Sequence, residues 1–585
     1  MTRIAVIHKD RCNPIGCGNC LCIRVCPINR AGKECIVKGD DNKPRIDEEI
    51  CTGCGICPKK CPYEAISIIN LPEALKENPT HQYGINGFRL YNLPIPKFGK
   101  VVGILGKNGI GKTTAIKILA GVLKPNFGSL EQKEIDFKQL IDFFKGTEAQ
   151  LFFEKVRDKK IKISYKLQQV DLIPKQVKGK VRDLLKKVDE RNKLNDIIEK
   201  LELKEILDNH INEISGGELQ RVAIAAAVLK DANLYIFDEP TSYLDIKQRI
   251  KVSKFIKSLA NEKTAVMVVE HDLIILDYMA DLVHIMYGEE GCYGVVGLPK
   301  ATRTAINVYL DGYLKEENIR FRPYKIKFEE KPPVKTISSN LLISWNNIQK
   351  KLGKFELEAK ESSLYKNEVI GVLGENGIGK TSFVKILAEV IKADKGNVSE
   401  KVKVSYKPQY LENSDELVVN ILKDAIQRYT NQIINPLGIK PLLTKKLNEL
   451  SGGELQRVAT ARCLSQDTHL FLLDEPSAYL DVEQRLLVSK VIKDISEEKG
   501  NSILVVDHDL MFIDYLSQKL LVFTGKPALN GRVNGPFDME EGMNLFLEDM
   551  GITYRRDQES RRPRANKEDS VKDREQKKNR KYYYS

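Results

Sequence analysis

Two groups of cysteines near the start of the chain have spacings that suit metal binding. The later group has the spacing C-x2-C-x2-C-x3-C-P, with which proteins hold iron–sulfur clusters, and comprises Cys51, Cys54, Cys57 and Cys61. The earlier group has the spacing C-x4-C-x4-C-x3-C-P and comprises Cys12, Cys17, Cys22 and Cys26. A disulfide framework or zinc sites could also use such cysteines, but the two C-P endings and the three-cysteine runs favour iron–sulfur chemistry.

The two runs predict two [4Fe–4S] clusters with exchanged ligands. In two-cluster ferredoxins, three cysteines of one run share a cluster with the last cysteine of the other. One set would be Cys12, Cys17, Cys22 and Cys61, and the other Cys51, Cys54, Cys57 and Cys26. Cys20 could compete with Cys22 as a ligand, and we expect Cys35 to be a buried thiol.

Two glycine-rich loops, GKNGIGKT at 106–113 and GENGIGKT at 374–381, follow apolar segments and open predicted helices. Glycines let backbone amides surround phosphates, and the helix N-terminus adds positive potential. Each loop lysine should neutralise phosphate charge, and the threonine after it should bind Mg²⁺. The predicted ATP-binding residues are Gly106, Asn108, Gly109, Gly111, Lys112, Thr113 and Thr114, and Gly374, Asn376, Gly377, Gly379, Lys380, Thr381 and Ser382.

Each half also contains an apolar strand that ends in two carboxylates, LYIFDEP or LFLLDEP. The first carboxylate can support Mg²⁺, and the second can polarise the attacking water. A histidine follows the next apolar strand, and its recurrence at matching offsets favours contact with the γ-phosphate over a structural role. These residues are Asp238, Glu239 and His271, and Asp474, Glu475 and His508.

The segment SGGELQR occurs at 215–221 and again at 451–457. A serine and two glycines at a helix start form a second anion-binding element, and one nucleotide does not need two within a single domain. We therefore expect the element of each half to face the glycine-rich loop of the other half. Two composite sites that close on ATP would result, with contacts from Ser215, Gly217, Ser451 and Gly453.

The motifs form an internal repeat that sets the domain organisation. The two loop lysines are 268 residues apart, but later motifs are 236 or 237 apart, so the first half is about 32 residues longer. Most of this excess lies at about 130–160, where the pattern predicts a helix–loop–helix insert, with an ordinary enlargement of the subdomain as the alternative. The predicted domains are a cysteine module (1–75), two nucleotide-binding domains (76–290 and 341–525), a hinge (291–340), and a second hinge with a basic tail (526–585).

Composition indicates a globular protein with anionic partners. The 585 residues are 42% hydrophobic and 30% charged, with a net charge of +13. Residues 553–585 hold twelve Lys/Arg and six Asp/Glu, a net +6, and we expect a solvated, disordered tail there. Neither a membrane-spanning run nor a secretory signal is evident, which predicts a cytoplasmic protein. The positive charge suits RNA, although charge alone does not distinguish RNA from DNA or acidic protein.

Taken together, the motifs resemble the ATP-binding cassette family over both halves. The loops, SGGELQR, DEP and the final histidines carry the resemblance, as do TSYLD (241–245) and SAYLD (477–481). The resemblance implies an α/β fold with two tandem P-loop ATPase domains and an N-terminal α+β ferredoxin-like domain. It assigns Gln168 and Gln409 to Mg²⁺ and water sensing, with Gln169 as an alternative to Gln168.

The domain order resembles the E subfamily of that family, the ribosome-recycling ATPases related to RNase L inhibitor. The resemblance implies that ATP-driven closure of paired cassettes in a monomer moves the iron–sulfur domain against the small ribosomal subunit. Ribosomes would thereby be split, in cooperation with a release or rescue factor. The helix–loop–helix insert and the hinges would contact rRNA and ribosomal proteins.

Aromatic residues ahead of each glycine-rich loop are expected to stack on adenine. Tyr83 is the first choice and Phe88 the second in the first half, and Phe355 is the choice in the second half. Packing in the core is the alternative for each of them.

Two other functions fit part of the sequence. An electron-transfer enzyme gated by ATP would need clusters that cycle under mild reductants. A cassette subunit of a membrane transporter would not need the cysteine module, and we disfavour it because both cassettes lie in one chain without a membrane span.

Overall fold

The computed structural model describes residues 2–71, 78–130, 135–328, 340–399, 402–409 and 414–583. The chain forms two compact units. The first comprises Met1–Ser242, Lys254–His271 and Met279–Pro323, and the second comprises Tyr243–Ser253, Asp272–Tyr278 and Tyr324–Ser585. The predicted domain boundary between residues 75 and 76 lies outside the described residues, and so do residues 329–339 of the predicted hinge.

The first unit begins with a small cysteine-rich module. Strand β1 pairs antiparallel with β4, and β2 pairs antiparallel with β3. Its apolar core consists largely of cysteines and isoleucines, because so short a segment has few other large apolar side chains. The elements are β1 (Thr2–Ile7), α1 (Leu21–Val25), α2 (Pro27–Arg30), β2 (Ile36–Lys38), β3 (Pro44–Ile46), α3 (Ile56–Lys60) and β4 (Ile66–Leu71).

An eight-stranded sheet forms the centre of the rest of the first unit. Its order is β5-β6-β12-β11-β7-β10-β9-β8, and β11, β7, β10, β9 and β8 are parallel. Strands β7, β9 and β10 are buried along their whole length, as expected for parallel strands covered on both faces. The bounds are β5 (His81–Gln82), β6 (Arg89–Tyr91), β7 (Val101–Leu105), β8 (Ile163–Lys166), β9 (Leu234–Asp238), β10 (Ala265–Val269), β11 (Leu282–Glu289) and β12 (Tyr293–Ala301).

Helices follow most of these strands, and two of them occupy the region of the predicted insert. There α5 and α6 are separated by a turn at Gly146, whose φ of 81° favours glycine. Phe144, Phe152 and Phe153 pack into the core of the unit. The helices are α4 (Lys112–Leu119), α5 (Phe137–Phe143), α6 (Glu148–Arg157), α7 (Ile173–Gln176), α8 (Val181–Lys187), α9 (Leu194–Lys200), α10 (Gly216–Leu229) and α13 (Thr302–Asp311). Two further helices in this part of the chain are α11 (Ile246–Leu259), which is divided between the two units, and α12 (Leu273–Met279), which lies largely in the second unit.

The first unit ends in the short strand pair β13 (Tyr313–Leu314) and β14 (Ile319–Arg320). The second unit contains a ten-stranded sheet. Its order is β17-β15-β16-β24-β23-β18-β22-β21-β20, with β19 beside β15, so β23-β18-β22-β21-β20 repeats the parallel part of the first sheet. The strands are β15 (Leu341–Leu352), β16 (Phe355–Ala359), β17 (Ser362–Tyr365), β18 (Val369–Leu373), β19 (Lys395–Val398), β20 (Val404–Lys407), β21 (Leu470–Asp474), β22 (Ser502–Val506), β23 (Lys519–Lys526) and β24 (Asn530–Asp538).

The helices of the second unit again follow the strands of its sheet. The rings of Trp345 and Phe383 pack edge to face in the core beside the second glycine-rich loop, with their centroids 5.3 Å apart. The helices are α14 (Lys380–Leu387), α15 (Val418–Ile421), α16 (Lys423–Arg428), α17 (Gly452–Leu464), α18 (Val482–Lys499), α19 (Leu510–Leu516) and α20 (Met539–Met550).

The C-terminal segment is folded, so the prediction of a disordered tail is wrong. It forms β25 (Tyr554–Arg556), β26 (Pro563–Ala565) and α21 (Val571–Lys578). The sequence pattern misled us because the segment has few apolar residues, and it is held together largely by buried polar side chains. Those buried side chains are Thr553, Asp557, Arg562, Asn566 and Asp573.

Two aspartates at corresponding positions of the repeat anchor the arginines of this segment. Arg562 and Arg564 donate to Asp277 on α12, at 2.9 Å and 2.6 Å. Arg556 donates to Asp514 on α19 at 2.9 Å. All of these residues belong to the second unit. Part of the positive charge of the segment is therefore neutralised inside the fold.

Candidate nucleotide sites and metal centre

The last glycine of each glycine-rich loop has a similar backbone conformation in both halves. Gly111 and Gly379 precede α4 and α14 with φ of 88° and 95°, a conformation that favours glycine. A Cβ at Gly111 would lie 2.6 Å from the Phe88 ring, and one at Gly379 would lie 2.9 Å from the Phe355 ring. Only glycine therefore lets an aromatic ring approach each loop this closely.

The loop lysines are held inside their own loops. Lys112 Nζ donates to the carbonyl oxygens of Gly106 and Lys107 at 2.9 and 2.5 Å. Lys380 Nζ donates to those of Gly374 and Glu375 at 2.8 and 2.7 Å. Burial lowers the pKa of Lys380 to about 8, against the opposing effect of neighbouring carboxylates. Both ammonium groups thus lie where the backbone amides of the loop would hold phosphates.

A threonine and an aspartate come together in each half and could hold Mg²⁺. Thr381 Oγ1 donates to Asp474 Oδ2 at 2.7 Å, and Thr113 hydrogen-bonds to Asp238. Burial and the adjacent Glu239 raise the pKa of Asp238 to about 6. Among the described residues, buried Asp238 Oδ1 has no hydrogen-bond partner. A cation at this oxygen would supply the missing partner, so the residues fit Mg²⁺.

The predicted water-polarising glutamates meet the predicted glutamine and histidine in both halves. Gln168 Nε2 donates to Glu239 Oε1 at 2.7 Å, and His271 Nε2 lies 3.3 Å from the same oxygen. In the second half, Gln409 Nε2 donates to Glu475 Oε1 at 2.7 Å, and the Nε2 of His508 lies 3.6 Å from that oxygen. The structure thus brings Gln168 to the carboxylate, and its assignment to Mg²⁺ and water sensing stays a prediction.

The two glutamates have different electrostatic surroundings. Burial by itself raises the pKa of Glu239, but His271 and nearby Lys112 outweigh it and lower the pKa to about 2. Burial, Asp507 and Asp474 instead raise the pKa of Glu475. The surroundings thus shift the pKa values of the two glutamates in opposite directions.

A lysine that the sequence analysis missed contacts the backbone of each carboxylate pair. Lys166 Nζ donates to the carbonyl oxygens of Asp238 and Glu239 at 3.0 and 3.3 Å. Lys407 Nζ donates to those of Asp474 and Glu475 at 2.7 and 3.3 Å. Burial lowers the pKa of each lysine to about 8. The available signal was a lysine two residues before the glutamine in both halves.

Both glutamates have an unusual backbone conformation. The φ angle is 48° at Glu239 and 47° at Glu475, in the left-handed region. For a residue other than glycine this costs about 1–2 kcal/mol, and it persists only where the surroundings hold it. In the first half, the Glu239 carbonyl oxygen accepts a hydrogen bond from Gln220 Nε2 at 2.6 Å in addition to the one from Lys166.

Ser215 and Ser451 cap helices in the same way. Each begins a helix, α10 or α17, and forms a reciprocal capping box with the glutamate three residues on. The following residues Gly217 and Gly453 lie in the first turn, where amides point along the helix axis. That each element faces the loop of the other half stays a prediction.

The aromatic residues chosen for adenine lie beside the loops. Phe88 and Phe355 occupy matching places against Gly111 and Gly379, as described above. Tyr83 is half-exposed, and its hydroxyl lies 3.3 Å from Thr114 Oγ1 at the start of α4. Its ring lies 6.4 Å from that of Phe88. Stacking on adenine stays a prediction for all three.

The ten cysteines of the N-terminal module form two groups of five. One cavity is lined by Cys12, Cys17, Cys20, Cys22 and Cys61. In the other group, Cys35 hydrogen-bonds to Cys26 and Cys51, and Cys57 lies near Cys51, Cys54 and Cys26. Cys61 of the later run thus lies with the cysteines of the earlier run, and Cys26 of the earlier run lies with those of the later run. Cys20 is the fifth thiol of the first group, and Cys35 is the fifth thiol of the second.

Burial favours the protonated form of several of these thiols. It raises the pKa of Cys12 to about 11 and those of Cys22 and Cys57 to about 12, with added effects of neighbouring thiols. Cluster binding would have to displace these protons. The donor set, two groups of sulfur atoms in an apolar surrounding, fits iron–sulfur clusters.

The cysteine module is docked onto the first nucleotide-binding domain through the segment 86–89, and also through Cys292 before β12, whose Sγ lies 3.5 Å from Nε2 of His8 in the module. Asn86 donates to Ile46 O and accepts from Ile46 N, each at 2.9 Å. Arg89 forms an ion pair with Glu48 at 2.6 Å. Asn86 and Arg89 flank Phe88, so the residues that hold the module adjoin an aromatic ring at the nucleotide loop.

Three family models match parts of the chain. The model "ABC transporter" matches residues 92–242 and 357–478, "Possible Fer4-like domain in RNase L inhibitor, RLI" matches 2–34, and "4Fe-4S binding domain" matches 44–67. The protein "ABC transporter E family member 1" of Arabidopsis thaliana is 43% identical, covering 100% of this chain and 99% of its own length. The chain belongs to the E family of ATP-binding cassette proteins.

Two solved structures resemble this E-family protein. "Model of ribosome-bound archaeal Pelota and ABCE1" matches with a TM-score of 0.93 and 52% identity, over 100% of this chain and 99% of that chain. The crystal structure of archaeal ribosomal stalk protein aP1 with "archaeal ribosome recycling factor aABCE1" matches with a TM-score of 0.83 and 50% identity, over 87% of this chain and 100% of that chain.

Family membership confirms the predicted fold class of two cassette ATPase domains and an N-terminal ferredoxin-like domain. The E-family protein is an ATPase that uses ATP and Mg²⁺ and binds iron–sulfur clusters. Within the described residues, no helix combines the length and apolar character needed to cross a bilayer.

Proposed function

We propose that this chain is an ATP-driven factor that splits ribosomes into subunits. The observation that carries the proposal is the docking of the cysteine-rich module beside the first nucleotide loop, through Asn86 and Arg89. The matched structures named for ribosome-bound and ribosome-recycling proteins support it. ATP binding closes the two halves and moves the module against the small subunit, and hydrolysis resets the protein.

Each half supplies a set of residues for hydrolysis. Thr113 and Gln168 in the first half, and Thr381 and Gln409 in the second, would hold Mg²⁺ with the support of Asp238 and Asp474, and the bound ion would neutralise phosphate charge. Glu239 and Glu475 accept a proton from the attacking water. His271 and His508 contact the γ-phosphate. Each SGGELQR segment completes the site of the opposite half.

The module holds two [4Fe–4S] clusters as rigid structural elements. One is bound by Cys12, Cys17, Cys22 and Cys61, and the other by Cys26, Cys51, Cys54 and Cys57. The grouping of the thiols supports this assignment, although Cys20 and Cys35 lie in the same groups. With so small an apolar core, metal binding supplies much of the folding free energy.

The proposed partners follow from this role. The module and the insert bind rRNA and proteins of the small ribosomal subunit, and a release or rescue factor acts with the chain. The net charge of +13 suits a phosphate-rich partner. We propose that the protein acts as a monomer, in the cytoplasm, where ribosomes are found.

Sedimentation of cell lysate tests the ribosomal role. With a non-hydrolysable ATP analogue, the full chain is expected to accumulate in the small-subunit fraction, because closed halves cannot reset. With ADP it should leave that fraction. Its absence from every ribosomal fraction under both conditions would contradict the proposal and favour an ATP-gated redox enzyme.

Replacing Cys54 with serine tests the clusters. Iron should fall from about eight to about four atoms per chain because one cluster loses a ligand. The module should also melt at a lower temperature, since bound metal stabilises its fold. Iron analysis and thermal melting give the result, with Cys463→Ser, in the second unit, as the control. Full iron content together with unchanged melting would show that Cys54 is not a ligand.

A further inference from the structure

Two buried lysines lie behind the water-polarising glutamates and are not explained by the roles assigned so far. Lys166 ends β8 and Lys407 ends β20, and their exposed fractions are only 2% and 1%. Lysine is rarely buried this completely unless a partner compensates its desolvation. The repeat of one arrangement in two independent halves indicates a shared role.

The partners that the structure gives these lysines are chiefly main-chain oxygens. Each Nζ bridges the two carbonyl oxygens of an Asp–Glu pair, Asp238 and Glu239 or Asp474 and Glu475. An ammonium group donates up to three hydrogen bonds, and bonds from a charged donor are stronger than neutral ones. The lysine therefore joins the residue that supports Mg²⁺ to the residue that polarises water.

The bridged peptide is where the chain turns into the left-handed conformation. Glu239 and Glu475 have φ near +48°, and this angle sets the direction of each carboxylate. In these orientations Glu239 Oε1 accepts from Gln168 and Glu475 Oε1 accepts from Gln409. A relaxed backbone would turn the carboxylate away from those partners.

We propose that Lys166 and Lys407 are positioning residues for ATP hydrolysis, each holding the left-handed turn that aims a glutamate at the attacking water. The inference rests on the role proposed above for Glu239 and Glu475. Because each lysine contacts the backbone rather than the nucleotide, its removal should affect the chemical step more than ATP binding.

Serines on the same two strands provide matched controls. Ser164 and Ser405 precede the lysines by two residues and are also buried. Their hydroxyls donate to carbonyl oxygens of Ala227 in α10 and Cys463 in α17, at 2.7 and 3.1 Å. Removing either hydroxyl disturbs the same strand without touching the turn at the glutamate.

Steady-state ATP hydrolysis by the full chain tests the inference. Lys166→Met and Lys407→Met should each lower kcat by at least about tenfold and leave KM within about twofold, since a misaimed carboxylate slows the chemical step. Ser164→Ala and Ser405→Ala should stay within about twofold of wild type. Lys166→Gln and Lys407→Gln replace the methionine variants if those do not fold. Wild-type kcat in folded lysine variants overturns the inference.

A double variant shows whether Lys166 acts through the glutamate or affects hydrolysis independently of it. Lys166→Met added to Glu239→Gln should cause no further loss of kcat, because the residue it positions is already disabled. A multiplicative loss overturns the inference while leaving the glutamate's role intact. Wild-type hydrolysis by Glu239→Gln removes the glutamate's proposed role, and the inference with it.

Discussion

Glu239→Gln and Glu475→Gln are each expected to slow ATP hydrolysis by a factor of about 10², with ATP binding preserved. A glutamine keeps the size of the side chain and can still contact Gln168 or Gln409, but it cannot accept a proton from water. Phosphate release under saturating ATP measures the rate, and equilibrium binding of a labelled nucleotide measures affinity.

Glu262→Gln and Glu498→Gln are matched controls because both glutamates are exposed, one in each half. They should hydrolyse ATP at the wild-type rate. The two test variants need not be equally slow, because the surroundings lower the pKa of Glu239 and raise that of Glu475. Wild-type turnover in both test variants would show that neither glutamate acts on water.

Asp277→Asn should loosen the folded C-terminal segment strongly. Arg562 has an exposed fraction of 0% and donates to Asp277, which also accepts from Arg564. Removing the negative charge leaves the buried Arg562 guanidinium without its ion-pair partner, which costs about 3–5 kcal/mol. Local opening of the segment should therefore become about 10²-fold or more frequent.

Hydrogen exchange of the amides in β25 and β26 measures that opening. Arg574→Met is the control, since Arg574 is exposed on α21 of the same segment. Its protection factors should match those of the wild type. If Asp277→Asn retained wild-type protection, the aspartate would not anchor the segment.

Local patterns predicted the repeated parts of the sites because those parts are set by short-range geometry. A glycine-rich turn between an apolar strand and a helix has few alternatives, so Lys112 and Lys380 could be placed from sequence. The exchange of Cys26 and Cys61 between the two groups was predicted by applying the ligand pattern of two-cluster ferredoxins to the cysteine spacing.

Features that depend on long-range contacts could not be predicted in this way. A lysine at the end of a strand usually reaches solvent, so the recurrence of a lysine before the glutamine did not by itself show that Lys166 contacts Glu239, 73 residues later in the chain. The C-terminal segment appeared disordered because its composition does not show that Asp277, 285 residues before Arg562, is its partner.

The segment from Tyr83 to Arg89 has a thermodynamic consequence for the first nucleotide site. Phe88 lies against the nucleotide loop, and the adjacent Arg89 pairs with Glu48 of the cysteine module. If bound ATP shifts this segment enough to weaken the attachment of the module by some factor, detachment of the module must change ATP affinity by the same factor. A ribosome that captures the detached module would then alter nucleotide occupancy without touching the nucleotide.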